Sequence, residues 1–364
     1  MFMKIAFFSM DPTNYGDTSK SSELYIAEEM AREGNTVFLF TDQRQYEKLY
    51  KNIKVIILPI QNKKFLDEYE EKLDEYKSDV IFATSISAYD IVSLFSKRWN
   101  AKSSIFILDI PVWELYFQNK NDHIKSQLEK IKDFDVIFTN TSVTKNIIMQ
   151  LNKDIKEEKL EAIYYPVPLE ESDKVQVKEK KNQVVFVGNL SFHKGIEILF
   201  YAFTMFTDPP ELIIIGTSYG NEMTIKLPNN TLISTRYMNM KNELNINARF
   251  LGNVSNDEKF KIIKESKLAV FPQFSRSIPS IAPLECSYSG TQTIVSDTLI
   301  NRENCGESVN YITDFFSTRA WAEKIFESLN DKKYENDNQR KWIIENRSPK
   351  IITQKILERF KQLF

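Results

Sequence analysis

The chain has 364 residues, 42% of them hydrophobic and 13% aromatic, which is enough to bury the cores of two domains. Its net charge is −2 with 27% charged residues of both signs, which argues against a nucleic-acid binder, expected to be clearly basic. Two cysteines and two histidines exclude a disulfide framework, a cysteine-rich metal site and a multi-histidine metal centre. Cys286 and Cys305 read as buried free thiols suited to a reducing compartment. No run approaches the ~20 apolar residues of a membrane span, and MFMKIAFFSMDP lacks the charged start and cleavage site of a signal peptide. The expectation is a cytoplasmic protein, with contact at a membrane surface left open.

Lys4–Ser9 (KIAFFS) reads as a buried strand, followed by a polar loop, Asp11–Lys20, that contains Gly16. A helix with Leu24, Ala27, Met30 and Ala31 on one face ends at Gly34. Strands are predicted over Thr36–Thr41, Val55–Leu58, Ser78–Thr84, Ser103–Leu108 and Asp135–Thr139. Helices are predicted around Tyr89–Phe95 and over Gln118–Lys132 and Val143–Leu151, and Ala162–Tyr165 closes the half. Continuous apolar strands alternating with helices imply a parallel sheet covered on both faces. Pro166–Lys181 is proline-bearing and highly charged and reads as an interdomain linker, with Lys178–Lys181 solvated.

The second half opens on VVFVGNLSFHKG, Val184–Gly195. The apolar run Val184–Val187 stops at Gly188, a polar loop ends in Lys194-Gly195, and Ile196, Leu199, Phe200 and Phe203 recur at helical spacing. Such a loop lies at the carboxyl edge of a parallel sheet, where open α/β sheets bind ligands. A lysine just ahead of a helix N-terminus makes an anion site; the alternative is an ordinary turn with a solvated lysine. Further strands are predicted over Leu212–Gly216, Ala248–Val254, Leu268–Pro272 and Thr293–Asp297, and helices over Phe260–Glu265, Ser280–Ser289 and Thr318–Leu329. A final amphipathic helix, Ser348–Phe364, carries Ile352, Ile356, Phe360 and Phe364 in a stripe. Glycines concentrate between Gly188 and Gly306, so the tight ligand loops belong to this half. The architecture expected is α/β, two doubly wound domains with a cleft between them: residues 1–166, a linker 167–181, residues 182–347 and a closing helix 348–364.

Four features follow in order: GNLSFHKG, LIIIG, ARFLGNV with Asn256-Asp257-Glu258, and FPQFSRSIPSIAPLECSYSG before TQTIVSDT. Together they resemble the retaining, nucleotide-sugar-dependent glycosyltransferases of the family 4 type (glycosyl transferases group 1), whose fold is GT-B. The resemblance spans nearly all of Val184–Leu329 and more loosely the whole chain. It implies two Rossmann-like domains, the first binding the acceptor and the second the nucleotide sugar, with the last helix crossing back onto the first domain. It implies retention of configuration and no metal or other cofactor: no Asp-x-Asp site stands in a suitable loop, and cationic side chains and helix N-terminal amides stabilise the leaving diphosphate. Carried over by position, Lys194 meets the diphosphate, beside Gly188 and Asn189. The turn Ser277–Ala282, with Ser280, Ile281 and Ala282, presents N–H groups to the same phosphates. Glu285 accepts hydrogen bonds from the ribose hydroxyls, unless it is simply an early-turn glutamate favoured by the helix dipole. Asn253 and Val254 border the base, and Gly216 ends a strand beside the cleft.

Two positions depart from the family. Asn189 stands where an arginine is usual, which removes a charge-assisted contact to phosphate. Ser277 stands where the first of two glutamates is usual; Arg276 or Arg302 is placed to supply a missing cation. His193 suggests either acid/base chemistry or local packing. In the first half, Asp109 either orients a sugar hydroxyl or caps the turn before Pro111, and Gly16 is the one glycine left in a loop that the family holds near the donor. Trp113, Tyr116 and Phe117 either stack on the acceptor or pack in the core. Lys120, His123, Lys125, Lys130 and Lys132 form either a basic face for an anionic membrane or a solvated face. The functional expectation is transfer of a hexose from a UDP or GDP sugar to a hydroxyl of a glycan or glycolipid, with no nucleic-acid partner. The alternatives are a non-catalytic GT-B binding protein, favoured by Asn189 and Ser277, and a nucleotide-sugar epimerase or hydrolase.

Overall fold

The computed structural model describes residues 2–8, 22–41, 53–58, 71–84, 88–107, 126, 128–218, 224–274, 279–331, 334 and 336–364. The chain divides into two units, Met1–Pro166 with Arg347–Phe364, and Val167–Asn346.

In the first unit β1 (Lys4–Phe8), α1 (Ser22–Arg32), β2 (Thr36–Thr41), β3 (Lys54–Ile57), β4 (Val80–Ala83), α2 (Tyr89–Trp99), β5 (Lys102–Ile107), β6 (Val136–Thr139), α3 (Ser142–Leu151) and β7 (Leu160–Ala162) follow in sequence. The strands form one sheet in the order β3-β2-β1-β4-β5-β6-β7, parallel throughout. Phe7, Val80, Phe82 and Phe138 bury on the face covered by α1, while Phe8, Ile81 and Ile137 bury on the face covered by α2 and α3. Both faces are covered, so the strands read as unbroken apolar runs.

The second unit begins at Val167, inside the segment read as linker. Here α4 (Leu169–Asp173) folds onto the unit instead of spacing it. Ser172 and Ser289 share a hydrogen bond of 2.8 Å, and Lys264 Nζ donates to the carbonyls of Ser172 and Val175 at 2.7 and 2.8 Å. Lys178–Lys181 is exposed as expected, although the Lys180 Nζ turns back to donate to the Ser266 carbonyl at 2.9 Å, and burial of that group pulls its pKa down to about 8. The segment is thus held to the second unit by α4 and by lysine bonds to backbone carbonyls, one from its own Lys180 and two from Lys264 of the neighbouring helix.

Next come β8 (Lys181–Val187), α5 (Ile196–Phe203), β9 (Glu211–Ile215), β10 (Thr224–Lys226), β11 (Leu232–Ser234), α6 (Thr235–Glu243), β12 (Ala248–Gly252), α7 (Asn256–Glu265) and β13 (Ser266–Phe271). They are followed by α8 (Ala282–Tyr288), β14 (Gln292–Ser296), α9 (Leu299–Cys305), β15 (Asn310–Ile312), α10 (Thr318–Asn330) and α11 (Asp337–Arg347). The main sheet has the order β12-β9-β8-β13-β14-β15 and is parallel, while β10 and β11 pair as a small antiparallel ribbon. Helices α5, α6 and α10 cover one face, with Trp321 and Tyr237 at its centre; α7, α8, α9 and α11 cover the other. Cys286 and Cys305 are buried free thiols within that second layer.

The C-terminal helix α12 (Pro349–Lys361) belongs to the first unit. The Ser348 side chain caps it by accepting from the Ile351 N–H, and Pro349 sits in its first turn. Ile352, Ile356, Leu357 and Phe360 are buried, and the Phe360 ring lies 5.8 Å from those of Phe82 and Phe138. Phe364, expected in the same stripe, is 60% exposed because the helix ends at Lys361 and the stripe with it.

Candidate active site

The sheet order fixes where a ligand fits. From β8 the chain passes through α5 to β9 on one side, whereas β13 lies on the other, so the order reverses between β8 and β13. Open α/β sheets bind ligands outside the carboxyl ends of the strands at such a reversal. The loops there are those after Val187 and after Phe271.

The loop after β8 is tied to its neighbours by backbone bonds. Gly188 N–H donates to the Ile215 carbonyl at 2.9 Å, Leu190 N–H to that of Thr217 at 2.8 Å, and Gly216 N–H to that of Gly252 at 2.9 Å. Phe192–Lys194 then forms a single 3-10 turn, ended by Gly195 at φ +72°. A Cβ at Gly195 would stand 2.4 Å from the Pro272 carbonyl oxygen, so glycine is what lets this turn close against the end of β13. Phe274 N–H donating to the His193 carbonyl at 3.0 Å seals the contact.

Lys194 is thereby folded into the switch point, only 9% exposed. Its Nζ donates to Gln273 Oε1 at 3.1 Å, Gln273 Nε2 donates to Asn301 Oδ1 at 2.7 Å, and Asn301 Nδ2 donates to the Ser296 carbonyl at 2.8 Å. A buried chain of amides thus runs from the end of β14 to the lysine. Gln273 Oε1 is a neutral acceptor, and the bond orients the ammonium. Neither Gln273 nor Asn301 figured in the sequence reading. Their only signal was position, Gln273 just past the carboxyl end of β13 and Asn301 in the first turn of the helix that follows β14.

Glu285 sits early in α8, whose residues are all buried. The turn before it is held by Asn304 Nδ2, which donates to the Ser280 carbonyl at 2.8 Å. Lys259 Nζ donates to Glu285 Oε1 at 2.9 Å, both side chains being largely withdrawn from solvent. Lys259 lies on α7, which starts four residues earlier than its apolar pattern indicated because the Ser255 Oγ caps it by accepting from Glu258 N–H at 3.3 Å. Strand β12 stops at Gly252, so Asn253 and Val254 form the loop into α7. Asn253 N–H donates to Thr231 Oγ1 at 3.0 Å and its carbonyl accepts from Asn229 Nδ2 at 3.1 Å, which fixes the loop. Asn189 is exposed on the rim of the β8 loop.

Two open readings close. Arg302 does not offer a spare cation: its guanidinium grips Asp297 with two bonds of 2.6 and 2.8 Å and stacks 3.9 Å from the Tyr311 ring centroid. His193 fits local packing, because its Nε2 lies 3.3 Å from Ser191 Oγ, and burial with the neighbouring Lys194 charge pushes its pKa down to about 4. It is neutral at physiological pH and a weak base there. Gly16, Asp109, Arg276 and Ser277, like Trp113, Tyr116, Phe117, Lys120, His123 and Lys125, lie outside the described residues. A cavity of about 710 Å³ lies elsewhere: Asn182 and Lys267, among its lining residues, stand at the start of β8 and β13, so it opens at the amino edge of the sheet. We assign the site to the carboxyl edge, where Lys194 and Glu285 lie. No helix of the described residues is long and apolar enough to cross a membrane.

Residues 169–348 match the family model described as Glycosyl transferases group 1, which is nearly the whole second unit. No curated protein matches the sequence. Among solved structures, Anabaena HepE in complex with UDP superposes with a TM-score of 0.75 at 15% identity, covering 99% of this chain and 100% of that one. Sucrose-phosphate synthase from Thermosynechococcus elongatus gives 0.75 at 14% identity, covering 99% and 98%. The lipopolysaccharide outer core galactosyltransferase WaaB in its apo form gives 0.66 at 18% identity, covering 100% of both chains. The fold is GT-B. The second unit belongs to the glycosyl transferases group 1 family, and the chain is a glycosyltransferase.

Proposed function

We propose that the chain moves a hexose from a UDP-hexose to a hydroxyl of a glycan or glycolipid, with retention of configuration and without a metal or other cofactor. The observation that carries this reading is the buried Lys194, held at the strand-order reversal by its hydrogen bond to Gln273. A leaving UDP develops negative charge on its phosphate oxygens, and a pre-positioned ammonium stabilises that charge more in the transition state than in the ground state. The turn Ser280–Ala282 supplies amide donors to the same phosphates, Glu285 accepts from the ribose hydroxyls, and the Asn253–Val254 loop borders the base. Uracil is favoured because the similar HepE structures hold UDP, UDP with glucose, or UDP-glucose. The buried free thiols support a cytoplasmic setting.

A second reading, a binding protein that has lost turnover, is favoured by the uncharged, exposed Asn189. A thermal-shift panel of UDP, GDP, ADP and dTDP separates the two, combined with NMR of the product anomer from UDP-hexoses. UDP at about 100 times its Kd is expected to add roughly 2.7 kcal/mol of stability, and UDP-hexose is expected to yield an α-configured product. A UDP shift without any released UDP supports the binding protein; no shift with any of the four nucleotides overturns the donor site.

A further inference from the structure

We infer that Lys259 is a positioning residue for nucleoside recognition: it holds the Glu285 carboxylate oriented so that its other oxygen reads the ribose diol of the donor. This rests on the proposed donor site and adds to it a residue from a different helix.

The geometry is specific. Glu285 is 5% exposed, and a buried carboxylate oxygen is found with a hydrogen-bond partner. The ammonium of Lys259 stands 2.9 Å from one carboxylate oxygen, Oε1. Fixing one oxygen sets the plane of the carboxylate and aims the other. Lys259 is also in the first turns of α7, the helix entered directly from the Asn253–Val254 loop. One helix therefore carries both the loop assigned to the base and the counter-ion of the residue assigned to the ribose. Lys264, on the same helix, has another task, since it is tied to the Ser172 and Val175 carbonyls. A purely architectural ion pair would hold α7 to α8 and leave ligand discrimination untouched.

The test compares UDP with 2′,3′-dideoxy-UDP by calorimetry in wild type and in Lys259→Arg, Lys259→Met and Lys259→Gln. A hydrogen bond to a charged acceptor is worth roughly tenfold or more in affinity, so wild type is expected to prefer UDP by about 10- to 100-fold. The preference is expected to fall below about threefold in the Met and Gln variants and to survive in the Arg variant, with inorganic pyrophosphate bound equally by all four. The Gln variant keeps a donor beside Glu285 and guards against a Met variant that fails to fold. An unchanged preference in either neutral variant, even with a lowered Tm, overturns the inference, as does a wild-type preference near one. Loss of pyrophosphate affinity in step with UDP overturns it by moving Lys259 to the phosphates. Wild type that binds pyrophosphate and UDP not at all overturns the donor reading itself, and this inference with it.

Discussion

Lys194→Ala is expected to lower kcat/KM for sugar transfer by roughly 10²–10³-fold, the loss that follows removal of one pre-organised group facing developing charge. The expectation follows from where the lysine is held. It reaches the switch point through a turn that only Gly195 allows, and it is oriented by Gln273, itself fixed by Asn301. The substitution leaves the buried Gln273 Oε1 without this donor, so stability is expected to fall by about 1–3 kcal/mol as well. Lys194→Met keeps most of the packing and is expected to lose the same activity with less change in Tm. Rates from a UDP-release assay check both variants; activity within threefold of wild type in either would remove Lys194 from the chemistry.

Gly216→Ala is expected to be the most damaging small substitution near the site. At φ +138° glycine adopts a conformation that side-chain-bearing residues avoid, and an added Cβ would stand 2.0 Å from the Gly188 carbonyl oxygen. That oxygen is backbone, so the β8 loop must move, straining the Leu190–Thr217 and Gly216–Gly252 bonds that lace the carboxyl edge. Strain and overpacking, each about 1–3 kcal/mol, add to roughly 2–6 kcal/mol and a Tm lower by about 10 °C. Gly290→Ala is the control. Its φ is also positive, at +83°, but the added Cβ meets nothing nearer than 3.9 Å, so only the strain remains, about 1 kcal/mol. Thermal melts of the two variants measure the difference; equal Tm losses would show that the collision is absent.

The residues that were legible are those whose signal is local. VVFV, LIII, LAVF and TIV announce strands buried on both faces, and Gly188 and Gly216 mark where those strands turn. Lys194 was legible because a lysine between a strand and a helix has a physical meaning on its own. The pairings that give it force were not: Gln273 lies 79 residues away and becomes its partner only when β8 and β13 align. Lys259 fell just outside the helix expected over Phe260–Glu265 and drew no notice, since nothing in sequence shows that α7 and α8 pack side by side. The supposed linker misled for the opposite reason. Its charges are exposed as they suggested, but Ser172 is buried and Lys264, from a distant part of the sequence, reaches back to its carbonyls and pins it to the unit. The β10–β11 ribbon, α6, α9, β15 and α11 left no clear mark because they are short or polar and take their order from the layers they cover.

The central claim is that the donor lies along the carboxyl edge of the second unit's sheet. Amide hydrogen exchange with and without saturating UDP tests it most directly. Slower exchange is expected in three separate stretches, Gly188–Gly195, Gly252–Lys259 and Ser280–Ser289, with little change at the amino edge around Met205 and Phe326. Binding of UDP with protection confined to the Met205–Phe326 groove, or absent from all three stretches, would contradict the account.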